Sequence, residues 1–242
     1  MLSVLEKEER IGFTGVDPSG RLTLFSIFDF FQKAAIAHAE DLAVGRVAMA
    51  ERGMVWVLSR MSVRVDRRPE LDEVISIATW ANGFERLFAV RDFSITASGG
   101  VCVLARSLWL LIDIETRRPL RPSALETTLP RGEGLPVLES PLALGMPSCA
   151  KLSGRREIKY SDIDFNGHVN NARYVQWIQD GVDYNALKNA SRITAGINYL
   201  SEVKPCDEIE IWTAPLDRGN GFAFEGRLAG GTACFRAELG LD

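Results

Sequence analysis

The segment IGFTGVDPSGRL, from Ile11, lies without a gap over IKYSDIDFNGHV, from Ile158. Asp17 falls on Asp164, Gly20 on Gly167 and Leu22 on Val169. Each copy leads into a stretch with helical apolar spacing and then into strand-like stretches. A repeat of half the chain length constrains the fold more than composition does. It calls for two units of one kind, each a short strand, a long helix and then four strands. A sheet of that size has one apolar face, and the helix can cover it. The fold class expected is therefore α+β, with two antiparallel sheets, each wrapped around a long helix.

In the first half, RIGFTGV reads as a short strand and DPSG as a turn. The helix carries Leu24, Phe28, Phe31, Ala35 and Leu42 at helical steps, with Thr23 as N-cap and Gly45 ending the run. VWVLSRMSVRV, EVISIATWA, FAVRDFSITA and VCVLARSLWLLIDI follow as strands. In the second half, REIKYSDI is the opening strand. Its helix presents Tyr174, Ile178, Val182 and Ala186 on one face. AGINYLSEVK, DEIEIWTA, GFAFEGRLA and TACFRAELGL complete it, separated by turns at KPCD, DRGNG and AGG. His38, on the first helix, has no polar cluster around it and reads as packing or surface.

Six of the ten prolines lie between Pro119 and Pro147, in a stretch without clear periodicity. Proline lacks the donor that helices and sheet interiors need. The chain thus divides into an N-terminal unit (1–115), a Pro-rich linker (116–150) and a C-terminal unit (151–242). The 242 residues are 46% hydrophobic and 25% charged, enough for a real core. A net charge of −4 argues against nucleic acid as a partner. Cys102, Cys149, Cys206 and Cys234 are too dispersed for a metal site or a disulfide framework and suit a reducing cytoplasm. The early charges of MLSVLEKEERIGF fit neither a signal nor a transit peptide. No apolar run approaches the ~18–20 residues of a membrane span.

The second copy of the repeat, DIDFNGHVNN, contains one of only two histidines. In extended backbone Asp164, Asn166 and His168 would share one face. A helix capped by Asn170 or Asn171 begins just after, so the trio would sit at a positive helix end suited to a developing oxyanion. Asp, Asn and Gly are also ordinary turn residues. The first copy keeps Asp17 and Gly20 but has Ser19 and Arg21 where the second has Asn166 and His168. The turn can be built without the asparagine and histidine, so those two need another reason.

SDIDFNGHVNNARYVQWI resembles the D-x-N-x-H-V-N-N-x-x-Y-x-x-W signature of the acyl-acyl-carrier-protein (acyl-ACP) thioesterases of plants and bacteria. INYLSEVKPCDEIEI resembles that family's strand ending in a glutamate, and WVLSRMSVRVDRRPELDEVISIATW its first long hairpin. LWLLIDIETRRPLRP is similar to the end of its first unit. The resemblance implies a double hotdog fold and hydrolysis of the fatty acyl-ACP thioester, releasing free fatty acid and holo-ACP and ending elongation. It implies Asp164, Asn166, His168 and Glu202 as the catalytic set, with no metal and no cofactor. Many plant members have a cysteine after the glutamate; here Val203 stands there, so a cysteine nucleophile is poorly supported.

The residue types suggest roles. Glu202 would take a proton from water once desolvated, Asn166 and helix-start N–H groups would hold the oxyanion, and His168 would orient Glu202 or the water, or carry a proton to the leaving thiolate. Asp164 would fix His168 or polarise the same water. The N-terminal unit would hold the acyl chain, with Phe28, Phe31, Met54, Trp56, Phe84 and Phe88 as candidate lining. Arg117, Arg118, Arg121, Arg155 and Arg156 would dock the acidic acyl carrier protein and its phosphopantetheine-linked cargo. An acyl-CoA thioesterase is the near alternative. An enoyl-thioester hydratase usually spaces its aspartate and histidine five apart rather than four, and an acyl-thioester sensor usually carries a DNA-binding segment. Two paired units allow a monomer or a homodimer.

Overall fold

The computed structural model describes residues 3–125, 129–217 and 220–242. The head of the N-terminal segment (1–2), part of the expected linker (126–128) and part of the DRGNG turn (218–219) lie outside the described residues. The first half contains β1 (Val4–Arg10), α1 (Leu24–Asp41), α2 (Arg46–Ala50), β2 (Met54–Val65), β3 (Val74–Glu85), β4 (Phe88–Ala97), β5 (Gly100–Asp113) and the short β6 (Pro119–Leu120). The second contains β7 (Lys151–Glu157), α3 (Asn171–Asp180), α4 (Tyr184–Asn189), β8 (Ile193–Tyr199), β9 (Glu208–Pro215), β10 (Asn220–Leu228) and β11 (Ala233–Leu241).

The strands form one antiparallel sheet in the order β1-β3-β4-β5-β2-β8-β11-β10-β9-β7, with β6 beside β5. The expectation of two sheets is corrected here. Each half has its own run of five, in the same internal order, and the two runs meet edge to edge. Arg60 to Val65 of β2 pair with Asn198 back to Ile193 of β8. Equivalent strands thus face each other across the seam, and the order reads as a palindrome. Each half would otherwise leave an unpaired edge there, exposed to aggregation; the other copy covers it.

Both long helices lie on one side of this sheet and touch each other. Phe25 N–H donates to Gln179 Oε1 at 2.6 Å, and the Arg173 guanidinium sits 5.0 Å from the Phe25 ring centroid. The main core takes residues from both halves: Ile27 and Phe31 from α1, Val63 and Ile95 from the first strands, Trp177 and Ile178 from α3, and Phe224 and Phe235 from the last strands. A smaller cluster of Leu42, Val44, Met49, Leu111 and Leu125 lies apart from it.

The helices start where the caps predict. Thr23 Oγ1 accepts from Ser26 N–H at 3.1 Å, and Asn170 Oδ1 accepts from Ala172 N–H at 2.9 Å. Three local expectations change. The opening strands fall upstream, at β1 and β7; RIGFTGV and REIKYSDI instead enter 3-10 turns at Phe13–Gly15 and Tyr160–Asp162. Gly45 does not end α1, which stops at Asp41 before a left-handed Ala43; it caps the start of α2. The second helix breaks at Gly181, leaving Ala186 exposed on α4.

The linker is anchored rather than loose. The Asn198 carboxamide, 4% exposed, accepts from Leu144 N–H at 2.7 Å and donates to the Leu142 carbonyl at 3.1 Å. Ser140 donates to Glu85 of the first half, and Arg60 reaches the Pro141 carbonyl. Residues 140–144 therefore run across the seam on the sheet face opposite the helices.

The first copy of the repeated turn also ties the halves together. Arg68, nearly buried, pairs with Asp17 Oδ2 at 2.7 Å and donates to the Leu187 and Lys188 carbonyls at the end of α4. Burial alone would raise the Asp17 carboxyl, but hydrogen bonds from Ser19 and Arg21 and the Arg68 charge hold it below the ordinary carboxylate range. Arg68→Met should cost about 3 kcal/mol, because it removes the buried charge partner of Asp17 and the side-chain donor to the Leu187 carbonyl. Urea denaturation at pH 7 checks this. A folded pKa below the unfolded one makes Asp17 a stabiliser above the unfolded value, so the difference between the proteins should shrink as pH falls below about 4.

Candidate active site

A loop at 163–169 is closed at its base by a β-bridge between Ile163 and Val169. Within it Gly167 N–H donates to the Asp164 carbonyl at 3.0 Å, and Asp164 N–H to the His168 carbonyl at 2.9 Å. Asp164 Oδ1 accepts from Asn166 N–H at 2.8 Å, forming an Asx turn. Gly167 has φ +78°, which glycine adopts without strain. The first copy repeats the construction: Val16 bridges Leu22, Asp17 Oδ1 accepts from Ser19 N–H at 2.8 Å, and Gly20 has φ +79°. Asp164, Asn166 and His168 therefore lie on a turn, not along an extended strand as their spacing suggested. Asp164 organises that turn, and its only side-chain neighbour in it is the Asn166 amide at 3.4 Å. The expected contact of Asp164 with the His168 ring is replaced by this one.

Glu202 lies three residues beyond the end of β8 rather than within a strand. Backbone hydrogen bonds bring it to the turn. Leu200 and Ser201 N–H donate to the Cys234 carbonyl, and Val169 N–H donates to the Val203 carbonyl at 2.9 Å. Val203 is fully buried and anchors this crossing. The result is a close pair across 34 positions of chain: His168 Nε2 lies 3.3 Å from Glu202 Oε2. The other oxygen, Oε1, accepts from Arg117 Nη2 at 2.5 Å. The His168 and Glu202 side chains are 32% and 36% exposed, so the desolvated glutamate expected from the sequence is not found.

The helix-start donors are also placed otherwise than expected. Val169 N–H goes to Val203, Asn170 N–H to the Asp162 carbonyl, Ala172 N–H to the Asn170 side chain and Arg173 N–H to the Asn170 carbonyl. These donors are occupied by the protein itself. The Asn166 side-chain amide, on an exposed residue of the same turn, lies 3.4 Å from Asp164 Oδ2. Asp162 is nearly buried and takes Lys159 N–H on its carboxylate. Behind the turn, Tyr174 packs edge-on against Tyr199 and Phe235, with centroids 5.5 and 5.3 Å away. Burial first, and surrounding negative charge second, push the Tyr174 hydroxyl well above its ordinary range. It stays neutral there.

A narrow, mostly apolar crevice of about 20 Å³ lies between the halves, next to this site. Phe28 and Phe31 of α1 line it, with Met61 of β2, Phe93 of β4, Trp109 of β5 and Tyr199 of β8. Asn171 and Ala172, the first residues of α3, stand at its edge, which sets the crevice against the turn that bears His168. Of the six lining candidates, Phe28 and Phe31 are here. Met54, Trp56 and Phe84 pack instead against the smaller cluster, and Phe88 lies under the Arg60 guanidinium at 5.4 Å. Met61, Phe93 and Trp109 were legible only as strand positions. What they share is the sheet face turned toward α1, which needs the register to identify.

The five arginines do not form one free patch. Arg155 is paired with Glu210 at 2.9 Å, and Arg156 lies over the Trp177 ring at 4.9 Å with Asp162 and Asp180 nearby. Arg117 is on Glu202. Arg118 and Arg121 are exposed beside β6. His38 is fully buried, with Nδ1 2.9 Å from Arg91 Nη1. Cys206 is exposed in a turn, and burial pushes the Cys102 and Cys234 thiols up to about 11 and about 12.

The family model described as the acyl-ACP thioesterase N-terminal domain matches residues 3–123, and that of the acyl-ACP thioesterase C-terminal domain matches 149–234. A chloroplastic acyl-[acyl-carrier-protein] hydrolase of Cuphea viscosissima is 24% identical over 217 residues, covering 83% of this chain and 52% of that protein. A chloroplastic oleoyl-acyl carrier protein thioesterase of Arabidopsis thaliana is 24% identical, over 79% of this chain and 57% of its own length. The chain spans about half the length of the curated relatives it matches. Among solved structures, an acyl-ACP thioesterase from Bacteroides thetaiotaomicron superposes with a TM-score of 0.90 at 27% identity, covering 99% of this chain and 98% of that one. The 12:0-ACP thioesterase of Umbellularia californica shares the fold at a TM-score of 0.83 and 21% identity, over 100% and 98% of the two chains. With both halves matched in order by the same family's models, this chain belongs to the acyl-ACP thioesterases.

Proposed function

We propose that this chain hydrolyses the thioester of fatty acyl groups carried on acyl carrier protein, releasing a free fatty acid and holo-ACP. The observation that carries the reading is the His168–Glu202 pair at 3.3 Å, assembled from two segments beside an apolar crevice. The names of the relatives and of the solved Bacteroides neighbour support the choice of carrier. The palindromic sheet with its two long helices is read as a double hotdog, whose first unit (1–115) receives the acyl chain and whose second (151–242) acts on the thioester. Arg118 and Arg121 are the best remaining candidates for docking the acidic carrier.

In this mechanism a water beside Glu202 Oε2 gives it a proton and attacks the thioester carbonyl carbon. The carbonyl electrons move to oxygen, and the Asn166 amide donates to that oxyanion. Collapse breaks the C–S bond, and the proton passes by way of His168 to the departing phosphopantetheine thiolate. Asp164 acts through the turn, holding Asn166 in place. Phe28 and Phe31 bear on the acyl chain near the thioester end. No cofactor or metal enters these steps.

Glu202→Gln and His168→Ala should each lower kcat on saturating acyl-ACP by about 10²–10⁴-fold with the thermal midpoint little changed. Thiol release during single-substrate assays measures this, and near-normal turnover by Glu202→Gln would remove it from the base role. Iodoacetamide at pH 8 should label Cys149 and Cys206, leave Cys102 and Cys234 unmodified in the folded protein, and leave hydrolysis intact. Peptide mass mapping and residual activity give the two readouts; inactivation that tracks Cys206 labelling would point back to a thiol nucleophile.

A further inference from the structure

Among the described residues the Glu202 carboxylate pairs with two side chains, His168 and Arg117, and the proposed mechanism uses only the first. Arg117 is contributed 85 positions earlier by the turn that leaves the first half. That turn is tightly built. Asp113 N–H donates to the Arg118 carbonyl at 3.0 Å and Arg117 N–H to the Asp113 carbonyl at 2.9 Å. Thr116 donates to Asp113 Oδ1 from both its N–H and its hydroxyl. Pro119 and Leu120 then pair with Ile112 and Leu111 of β5. Within it Arg117 has φ +58°, a left-handed conformation whose ordinary occupants are glycine and asparagine. An arginine there works against the local backbone preference, and strain of this kind accumulates where a side chain is needed for another purpose.

We propose that Arg117 is a positioning residue for Glu202, holding Oε1 so that Oε2 is presented to His168 and to the attacking water. The inference rests on the proposed role of Glu202. A glutamate on an exposed loop has three side-chain torsions to restrain, and with its side chain 36% exposed burial does not fix them here. The guanidinium is planar, permanently charged and a directional donor, so it restrains the carboxylate plane as well as its place. The pairing also makes the site a joint product of both halves, because the turn belongs to the first and Glu202 to the second. It gives Arg117 a task other than docking a carrier.

Arg117→Asn is the informative change, because asparagine suits the left-handed backbone and removes only the guanidinium. The thermal midpoint should equal or exceed that of the unaltered protein. At the same time kcat should fall about tenfold to a hundredfold. The fall should be the same on acyl-ACP and on an acyl-N-acetylcysteamine thioester, which has no carrier to dock, and KM should move less than kcat. Added methylguanidine should restore part of the lost rate, and Arg117→Gly should behave like Arg117→Asn. Combined with Glu202→Gln, Arg117→Asn should add little further loss. A variant that only raises KM for acyl-ACP and keeps full activity on the small thioester would make Arg117 a docking residue and overturn the proposal. So would full activity on both substrates, or losses that multiply in the double variant. Normal turnover by Glu202→Gln would overturn the role of Glu202 and this inference with it, whereas a crippled Glu202→Gln beside a normal Arg117→Asn sinks the inference alone.

Discussion

The pairing of β2 with β8 is the contact on which the rest of the structure depends. It runs from Arg60↔Asn198 to Val65↔Ile193. Neither half needs it to form its own five strands, yet it decides where everything else lies. By closing the seam it brings α1 and α3 together on one side of the sheet. The core becomes common to both halves, and a crevice is left between them whose walls come from α1, β2, β4, β5, β8 and the start of α3. On the other side the same seam presents Asn198, buried under the linker, which it grips at Leu142 and Leu144. Arg117 can meet Glu202 only because the end of the first half is carried across that boundary.

The repeated turn illustrates how one backbone design acquires two uses. Both copies have the β-bridge, the aspartate-capped loop and the left-handed glycine. In the first, Asp17 holds Arg68, and Arg21, in the place of His168, reaches the Lys188 carbonyl of the other half. In the second, Asp164 holds Asn166 within the turn and His168 faces Glu202. The aspartate belongs to the loop geometry in each copy. What differs is the side chain four residues on: an arginine spent on cohesion, or a histidine set against a carboxylate. A catalytic site could thus appear on one copy while the other kept the fold intact.

Local rules made most of the fold legible. The stretch FAVRDFSITA coincides with β4 residue for residue, and Thr23 and Asn170 cap the helices they precede. The repeat announced two like units. It did not announce one sheet, because pairing between distant edges leaves no mark in local periodicity. The same limit explains the crevice: Met61, Phe93 and Trp109 alternate like any strand residues until the register shows which of them face α1. Spacing misled where backbone was irregular, since i, i+2, i+4 shares a face only in extended chain, and Asp164 to His168 is a turn. His168 and Glu202 were legible as candidates through motif resemblance. Arg117 was visible only as one of a run of charges, and nothing in ETRRPLRP distinguishes it from Arg118.

The exposure of the site bears on how it works. A buried glutamate gains basicity from desolvation, at a cost in stability. Here the carboxylate is a third exposed and lies between a guanidinium and an imidazole, so its alignment is set by those two partners rather than by burial. Exposed ion pairs are individually weak, and salt screens them. Their contribution comes from being held by surrounding structure: the Asp113 turn fixes Arg117, the Val169–Val203 hydrogen bond fixes the loop of Glu202, and the Asx turn fixes the approach of His168. Under the proposed function, an incoming thioester and its carrier would cover this mouth and displace bulk water from it. The three side chains would then interact at lower dielectric only when substrate is present, when their alignment matters for the reaction. A site of this kind is inexpensive to keep in the free protein and becomes stronger on binding, which favours an open rim aligned by backbone over a buried catalytic residue.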